Sequence, residues 1–351
     1  MKRYLILSDG TVYEGEGFGA ASDTAGELVF TTNMNGYTET LTDPSYAGQI
    51  VMCTFPLIGN YGMNHEDEEG KPYLHGFVVR EYCDEPSNFR CETTVDAFLK
   101  EHGIPGIYGI DTRALTRKLR EFGVMNAKIC SEIPADLSDI VSFEVKGVVP
   151  LVSCKEKTEF PAENEKYHVV LIDYGYKRNI VRELQKRGCR VTVVPQDTSA
   201  AEVLSLEPDG IMLSNGPGDP AENTACIEVL KQLIGKKPVF GICLGHQLIS
   251  LAKGYKTYKM KYGHRGGNQP VKDLVTGKTY ITTQNHGYAV EMNDSARFVN
   301  VSDGTCEGID DTENMCFSVQ FHPEACAGPK DTSFLFDRFT AMMEDYRNAE
   351  R

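Results

Sequence analysis

The chain has 351 residues, 41% apolar and 25% charged, a composition that suits a globular protein and excludes a disordered one. At ~150 residues per domain there is room for two domains. Its 36 Lys and Arg against 50 Asp and Glu give a net charge of −14, which argues against a nucleic-acid binder or a protein docked on anionic membrane, since both need a basic face.

Cysteine usage points to a compartment. There are 11 Cys, an odd number, with no C-x-x-C pair. A secreted disulfide framework would show dense, paired spacing in a shorter chain, so reduced thiols and a cytoplasmic location are expected. No stretch approaches ~18 apolar residues, so no membrane span is expected. The apolar run after Lys2 and Arg3 is too short for a signal peptide.

In chain order, residues 3–7, 28–32 and 49–54 read as short strands between Gly-rich turns. Helices are expected over 95–101 and, behind an Asp111 cap, over 112–121. These make residues 1–153 a mixed α/β domain. Residues 154–166 are charged, carry Pro161 and have little apolar content, which predicts an exposed linker. From 167 to 351 strands and helices alternate. The run His168-Val169-Val170-Leu171-Ile172-Asp173 suits a strand buried on both faces. Ile180, Val181 and Leu184 lie on one helical face that ends at Gly188. Strands over 190–194, 210–213 and 238–242 follow, with an amphipathic helix through Cys226, Val229, Leu230, Leu233 and Ile234. Beyond Tyr255 the pattern turns to strands, among them 280–284 and 316–321, and a last helix is expected over about 331–346. Repeated β-α units predict a doubly wound, mostly parallel sheet with helices on both faces.

Gly241-Ile242-Cys243-Leu244-Gly245 closes a predicted strand and opens a helix, the layout of a nucleophile elbow with Cys in the Ser position. The glycines permit the sharp turn, and the helix N-terminus favours the thiolate that attacks. The pentapeptide alone also fits a buried strand-end Cys. Gln320-Phe321-His322-Pro323-Glu324 offers a base: Pro323 biases His322 to extended backbone, and residues two apart then face one side, so Glu324 can orient the ring. His286, in Gln284-Asn285-His286-Gly287-Tyr288, is a rival base with no acidic residue near it in sequence. Ser214-Asn215-Gly216-Pro217-Gly218-Asp219-Pro220 ends the preceding strand, and its glycines can present N–H groups to an oxyanion. Loops at the carboxyl ends of adjacent strands share one crevice, so this loop and Cys243 are expected to meet. Gly277-Lys278-Thr279 lacks the first Gly of a P-loop, Gly15-Glu16-Gly17-Phe18-Gly19-Ala20 has no helix behind it, and no metal-ligand spacing appears.

These motifs, with Gly241-Ile242-Cys243-Leu244-Gly245-His246-Gln247, resemble the class I glutamine amidotransferases. Thr42-Asp43-Pro44-Ser45-Tyr46 and the run from Gly109 to Arg120 are similar to the small subunit of glutamine-dependent carbamoyl-phosphate synthetase, and the likeness runs nearly end to end. The resemblance implies Cys243 as nucleophile, His322 as acid–base and Glu324 as its orienter. It implies oxyanion N–H groups from Gly216 and Leu244, and glutamine contacts from Ser45, Gly218, Gln247, Asn285, Gly287 and Tyr288. Tyr288 stands where Phe is usual, and Arg265 and Gln269 where His is frequent. It further implies a heterodimer with a large synthetase subunit that receives ammonia and holds ATP and Mg, no cofactor or metal in this chain, and an N-terminal domain facing that partner. A non-catalytic regulatory subunit on the same scaffold would show a broken triad, whereas all three members stand in this chain. A γ-glutamyl hydrolase or cysteine peptidase of the same fold would lack the N-terminal motifs.

Overall fold

A computed structural model describes residues 1–325 and 327–349. The chain divides into two compact units, Met1–Lys146 and Gly147–Arg351. Among the described residues the first unit is built on a closed barrel. Its strands run Lys2–Leu7, Val12–Gly19, Pro105–Tyr108, Gly76–Val78, Gln49–Cys53, Thr24–Thr31 and Met125–Cys130, the last pairing back to the first. Parallel and antiparallel ladders mix in it. The helices Val95–Glu101 and Thr112–Phe122 are where the sequence predicts them; Thr94 caps one and the Asp111 carboxylate accepts from Ala114 N at the start of the other. Each side-chain cap satisfies a backbone donor that the first turn leaves unpaired.

Among the described residues the second unit carries one ten-stranded sheet. At its centre Cys189–Pro195, Tyr167–Asp173, Gly210–Leu213, Val239–Ile242 and Cys316–Val319 pair in parallel in that order. Successive side chains of a strand point to opposite faces, and two cores form accordingly. Val169, Leu171, Met212, Phe240 and Phe317 join Ile180, Leu184, Phe336 and Phe339 on one side. Val170, Ile172, Ile211, Leu213 and Val239 join Val203, Leu230, Leu248 and Ile249 on the other. The doubly wound expectation is met at this centre. Beyond Cys316–Val319 the sheet continues antiparallel through Cys306–Asp311, Thr279–Val290, Thr257–Asp273 and Ala296–Asn300.

The expected linker is corrected in two ways. Residues 147–153 belong to the second unit: Val149 packs in its core, and Ser153 Oγ accepts from Gln196 N at 3.0 Å. Within 154–166, Thr158–Phe160 pairs antiparallel with the edge of the sheet. Its charges sit on a solvent-facing edge strand, a position that tolerates them and hides the strand from a hydrophobicity reading.

Candidate active site

Cys243 ends the strand Val239–Ile242 and caps the helix Leu244–Ala252. Its backbone is at φ 53° and ψ −102°, a conformation disfavoured for any residue with a Cβ. The turn is held on both sides, with Cys243 N donating to Val319 O at 2.8 Å and Gly245 N to Ser214 O at 3.0 Å. A Cβ on Gly245 would lie 2.6 Å from Leu213 O, so the helix meets the neighbouring strand closely only because this residue is Gly. The thiol is buried, 3.7 Å from Asn285 O, and stands at the positive end of the helix dipole.

His322 follows the strand Cys316–Val319, and its N–H donates to Thr283 O at 2.9 Å. Its Nδ1 lies 2.6 Å from Glu324 Oε1. Both side chains are fully buried. Burial opposes the imidazolium, but the Glu324 carboxylate outweighs it and holds the ring well above its ordinary pKa; the Cys243 sulfur adds to the rise and the Lys177 cation opposes it. Nε2 is buried and makes no conventional hydrogen bond among the described residues. For Glu324 burial works against the charge, and Lys177 and His322 together hold it well below the usual carboxylate range. The expected side-by-side placement of His322 and Glu324 is therefore present in the geometry.

The sequence reading misses the support beneath this pair. Lys177 Nζ lies 3.0 Å from Glu324 Oε1, with the two side chains 4% and 0% exposed. Asn179 Nδ2 donates to the Glu324 carbonyl. Lys177 N donates to Asn215 Oδ1 at 3.2 Å, which ties the same turn to the loop 214–220. Asp173 holds that turn by accepting from Gly175 N and Tyr176 N, each at 2.8 Å. One signal was available: Lys177 stands at the N-terminus of the helix Arg178–Gln185, where a cation opposes the dipole.

Gly216 packs against both neighbours of the crevice. A Cβ there would lie 2.2 Å from Tyr174 O and 2.8 Å from Leu244 Cδ2. Gly218 has φ 86° and lines a cavity of about 250 Å³ with Val148, Asp219 and Cys226, apart from the triad. Gln247 Nε2 donates to Tyr288 O and to Gln320 Oε1, both at 2.9 Å. Asn285, Gly287 and Tyr288 lie on the strand Thr279–Val290, whose backbone faces the thiol at Asn285. Ser45 is in the first unit, in the turn Pro44–Tyr46, where its N–H donates to Asp43 Oδ1 at 2.9 Å. The rival base His286 is set aside. Its Nδ1 lies 2.7 Å from Tyr288 O and its Nε2 3.1 Å from Gln284 Oε1, and burial pushes its pKa well below the ordinary value.

A strand-end cysteine on a strained turn, backed by a His–Glu pair from the next parallel strand, defines a class I glutamine amidotransferase domain, and the family model "Glutamine amidotransferase class-I" matches residues 170–342. The model "Carbamoyl-phosphate synthase small chain, CPSase domain" matches residues 5–129. The carbamoyl phosphate synthase small chain of Fusobacterium nucleatum is 55% identical over 96% of this chain and 97% of its own length. Those of Bacillus cereus and Staphylococcus epidermidis are 52% and 48% identical, over 99% and 100% of this chain and 97% and 98% of their own. The chain belongs to the carbamoyl phosphate synthase small chain family.

Proposed function

We propose that this chain hydrolyses glutamine through Cys243, His322 and Glu324 and passes the ammonia to a large synthetase subunit. The Cys243 thiolate attacks the side-chain amide carbon of glutamine, and the amide oxygen becomes an oxyanion facing the N–H groups of Gly216 and Leu244. His322 gives its proton to the departing nitrogen, which leaves as ammonia while the γ-glutamyl thioester forms. The same imidazole then takes a proton from water, the hydroxide adds to the thioester, and glutamate leaves with the thiolate restored. Glu324 keeps the ring oriented and stabilises its charged form, and Lys177 keeps Glu324 ionised. Gly218, Gln247, Asn285, Gly287 and Tyr288 are assigned to holding the substrate.

The observation that carries this reading is the buried Lys177–Glu324–His322 line ending at the strained Cys243. ATP and Mg are assigned to the large subunit, which would convert bicarbonate and ammonia to carbamoyl phosphate. A reducing, cytoplasmic setting accords with ten described cysteines that are all free. No helix among the described residues is long and apolar enough to cross a membrane. The test is glutamate release by the purified chain, alone and with the large subunit, beside Cys243→Ser. Weak hydrolysis alone, a large rise with the partner and none in the variant are expected. No Cys243-dependent hydrolysis with the partner demonstrably bound would overturn the reading in favour of a regulatory subunit.

A further inference from the structure

The helix Thr112–Phe122 takes no part in the chemistry, yet its outer face stands apart from the rest of the chain. Thr112, Leu115 and Leu119 are buried, whereas Arg113, Arg117 and Arg120 are exposed. At 3.6 residues per turn, positions i, i+4 and i+7 fall within about 60° of one another around the axis and extend over about 10 Å of its length. Leu115 and Leu119 lie on the other side, so the three arginines share the face turned away from the core. This chain has 36 basic residues against 50 acidic ones, so carboxylates are plentiful. Arg90 holds Asp67 at 2.8 Å, Arg187 holds Asp337 at 2.6 Å and Arg347 holds Asp209 at 2.6 Å. Among the described residues Arg113, Arg117 and Arg120 hold none. The acids beside the helix are engaged elsewhere: Asp111 accepts from Ala114 N at 3.0 Å, and Asp9 holds Lys118 at 2.6 Å. Glu121 stands four residues after Arg117, a spacing at which a helix pairs opposite charges, and the two make no ion pair.

The face selects its occupant by exclusion. Nucleic acid and anionic membrane would meet the field of a net charge of −14. A second copy docked about a two-fold axis would set arginine against arginine, since such an interface brings the same patch of both copies together. A convex helix face encloses no small molecule, whose sites are concave. What fits is a protein surface whose carboxylates extend over about 10 Å, each able to take a guanidinium through two parallel N–H···O bonds. The residue type agrees, because arginine is enriched and lysine depleted where proteins dock. The lysine of this helix, Lys118, is turned aside to Asp9 and Thr11.

We propose that Arg113, Arg117 and Arg120 form the docking stripe for an acidic face of the large synthetase subunit. The inference rests on the pairing with that subunit given above, and it needs neither glutamine nor the triad. The test is the dissociation constant of the full-length chain for the large subunit in about 0.1 M salt, with Arg113→Glu, Arg117→Glu and Arg120→Glu combined. Each reversal turns an attraction into a like-charge contact, so the constant should rise by roughly 100-fold or more, with glutamate release by the free chain unchanged. The gap should narrow at about 0.5 M salt, where exposed charges are screened. A control combines Lys231→Glu, Lys236→Glu and Lys278→Glu at exposed positions of the second unit. It alters the net charge by the same amount and should bind within about 3-fold of wild type. An arginine variant that binds within about 3-fold of wild type would overturn the proposal, as would a control equally weakened or a gap that salt leaves untouched. Self-association of the wild type that the arginine substitutions abolish would give the stripe to a second copy and overturn it too. Should the variant lose its far-UV helical signal, the combination of Arg113→Gln, Arg117→Gln and Arg120→Gln decides instead, with a rise of about 10-fold expected. A wild type that does not bind the large subunit would sink the functional reading and this proposal together. A wild type that binds but releases no glutamate would sink only the glutaminase reading and leave the binding comparison to decide on the stripe.

Discussion

Gly216→Ala probes the proposed oxyanion loop with a single carbon atom. The added Cβ would lie 2.2 Å from Tyr174 O and 3.0 Å from Tyr174 C, where ordinary contacts begin at 3.4 Å. Tyr174 cannot yield easily. It is 1% exposed, its N–H is bonded to Ser214 Oγ at 2.8 Å, and Asp173 beside it anchors the turn. The loop 214–218 must therefore retreat by about 1 Å, and a displacement of that size in a catalytic group costs on the order of 10²-fold in rate. Loss of one oxyanion donor falls in the same range, about 10² to 10³ in kcat, or roughly 3–4 kcal/mol. The assay is glutamate release in the complex, with ammonia-dependent carbamoyl phosphate synthesis as internal control. The expected result is a fall of about 10²-fold in kcat with the control unchanged. A kcat within about 3-fold of wild type would refute the placement of the oxyanion at Gly216. Gly218→Ala is the comparison: at φ 86° it is strained, but its new contact at 2.7 Å is only the Val148 side chain, so a smaller loss is expected.

Cys243→Ser should abolish glutamine-dependent synthesis and spare ammonia-dependent synthesis in the same complex; equal loss of both would contradict its proposed role in releasing ammonia from glutamine. Lys177→Met breaks a buried ion pair and should lower the unfolding free energy by about 3 kcal/mol. With no Trp in the chain, urea denaturation followed by far-UV circular dichroism is the measurement, and a change below about 1 kcal/mol would dismiss the pair as structurally inert. Glu324 is held at about 2 against an ordinary 4.5, so its contribution is present above pH 4.5 and lost as pH falls through 2; His322 is held at about 10 against 6.5, so its contribution is full below pH 6.5 and lost as pH rises through 10. The stability gap between wild type and Glu324→Gln should accordingly be widest near pH 5–6 and close toward acid. A gap that persists at about pH 2 would show that the charge is not what stabilises the pair.

The parts of this molecule that were readable in advance share a physical reason. Val169 to Ile172 and Val239 to Ile242 are buried on both faces, so their unbroken apolar runs declare central parallel strands. Cys243, His322 and the loop at Gly216 each end such a strand, and strand ends gather in one crevice. In the first unit several short strands and two helices were legible, but the barrel was not, because it closes through distant partners. Glu16 pairs with Tyr108, and Tyr4 with Cys130, and nothing local announces either. Strand Thr158–Phe160 hides behind edge charges. Asn179 looks like an ordinary helix-surface residue, and Lys177 is marked only by its place at a helix N-terminus, until the tertiary fold sets them under Glu324. His264, His286 and Glu307 are seen to meet only after three antiparallel strands are laid side by side.

The backbone at Cys243 carries one more consequence, for what selection on this chain must do. A residue with a Cβ at φ 53° and ψ −102° costs the fold about 1–3 kcal/mol relative to one at ease there. Glycine would relieve that strain at the position of the proposed nucleophile. Random variation screened only for thermal tolerance should therefore enrich replacements at residue 243 and discard the reaction. A screen coupled to ammonia supply should retain the cysteine and seek its stability elsewhere. A cysteine kept at this point would trade fold stability for the proposed reaction, a trade legible from a torsion angle before any substrate is supplied.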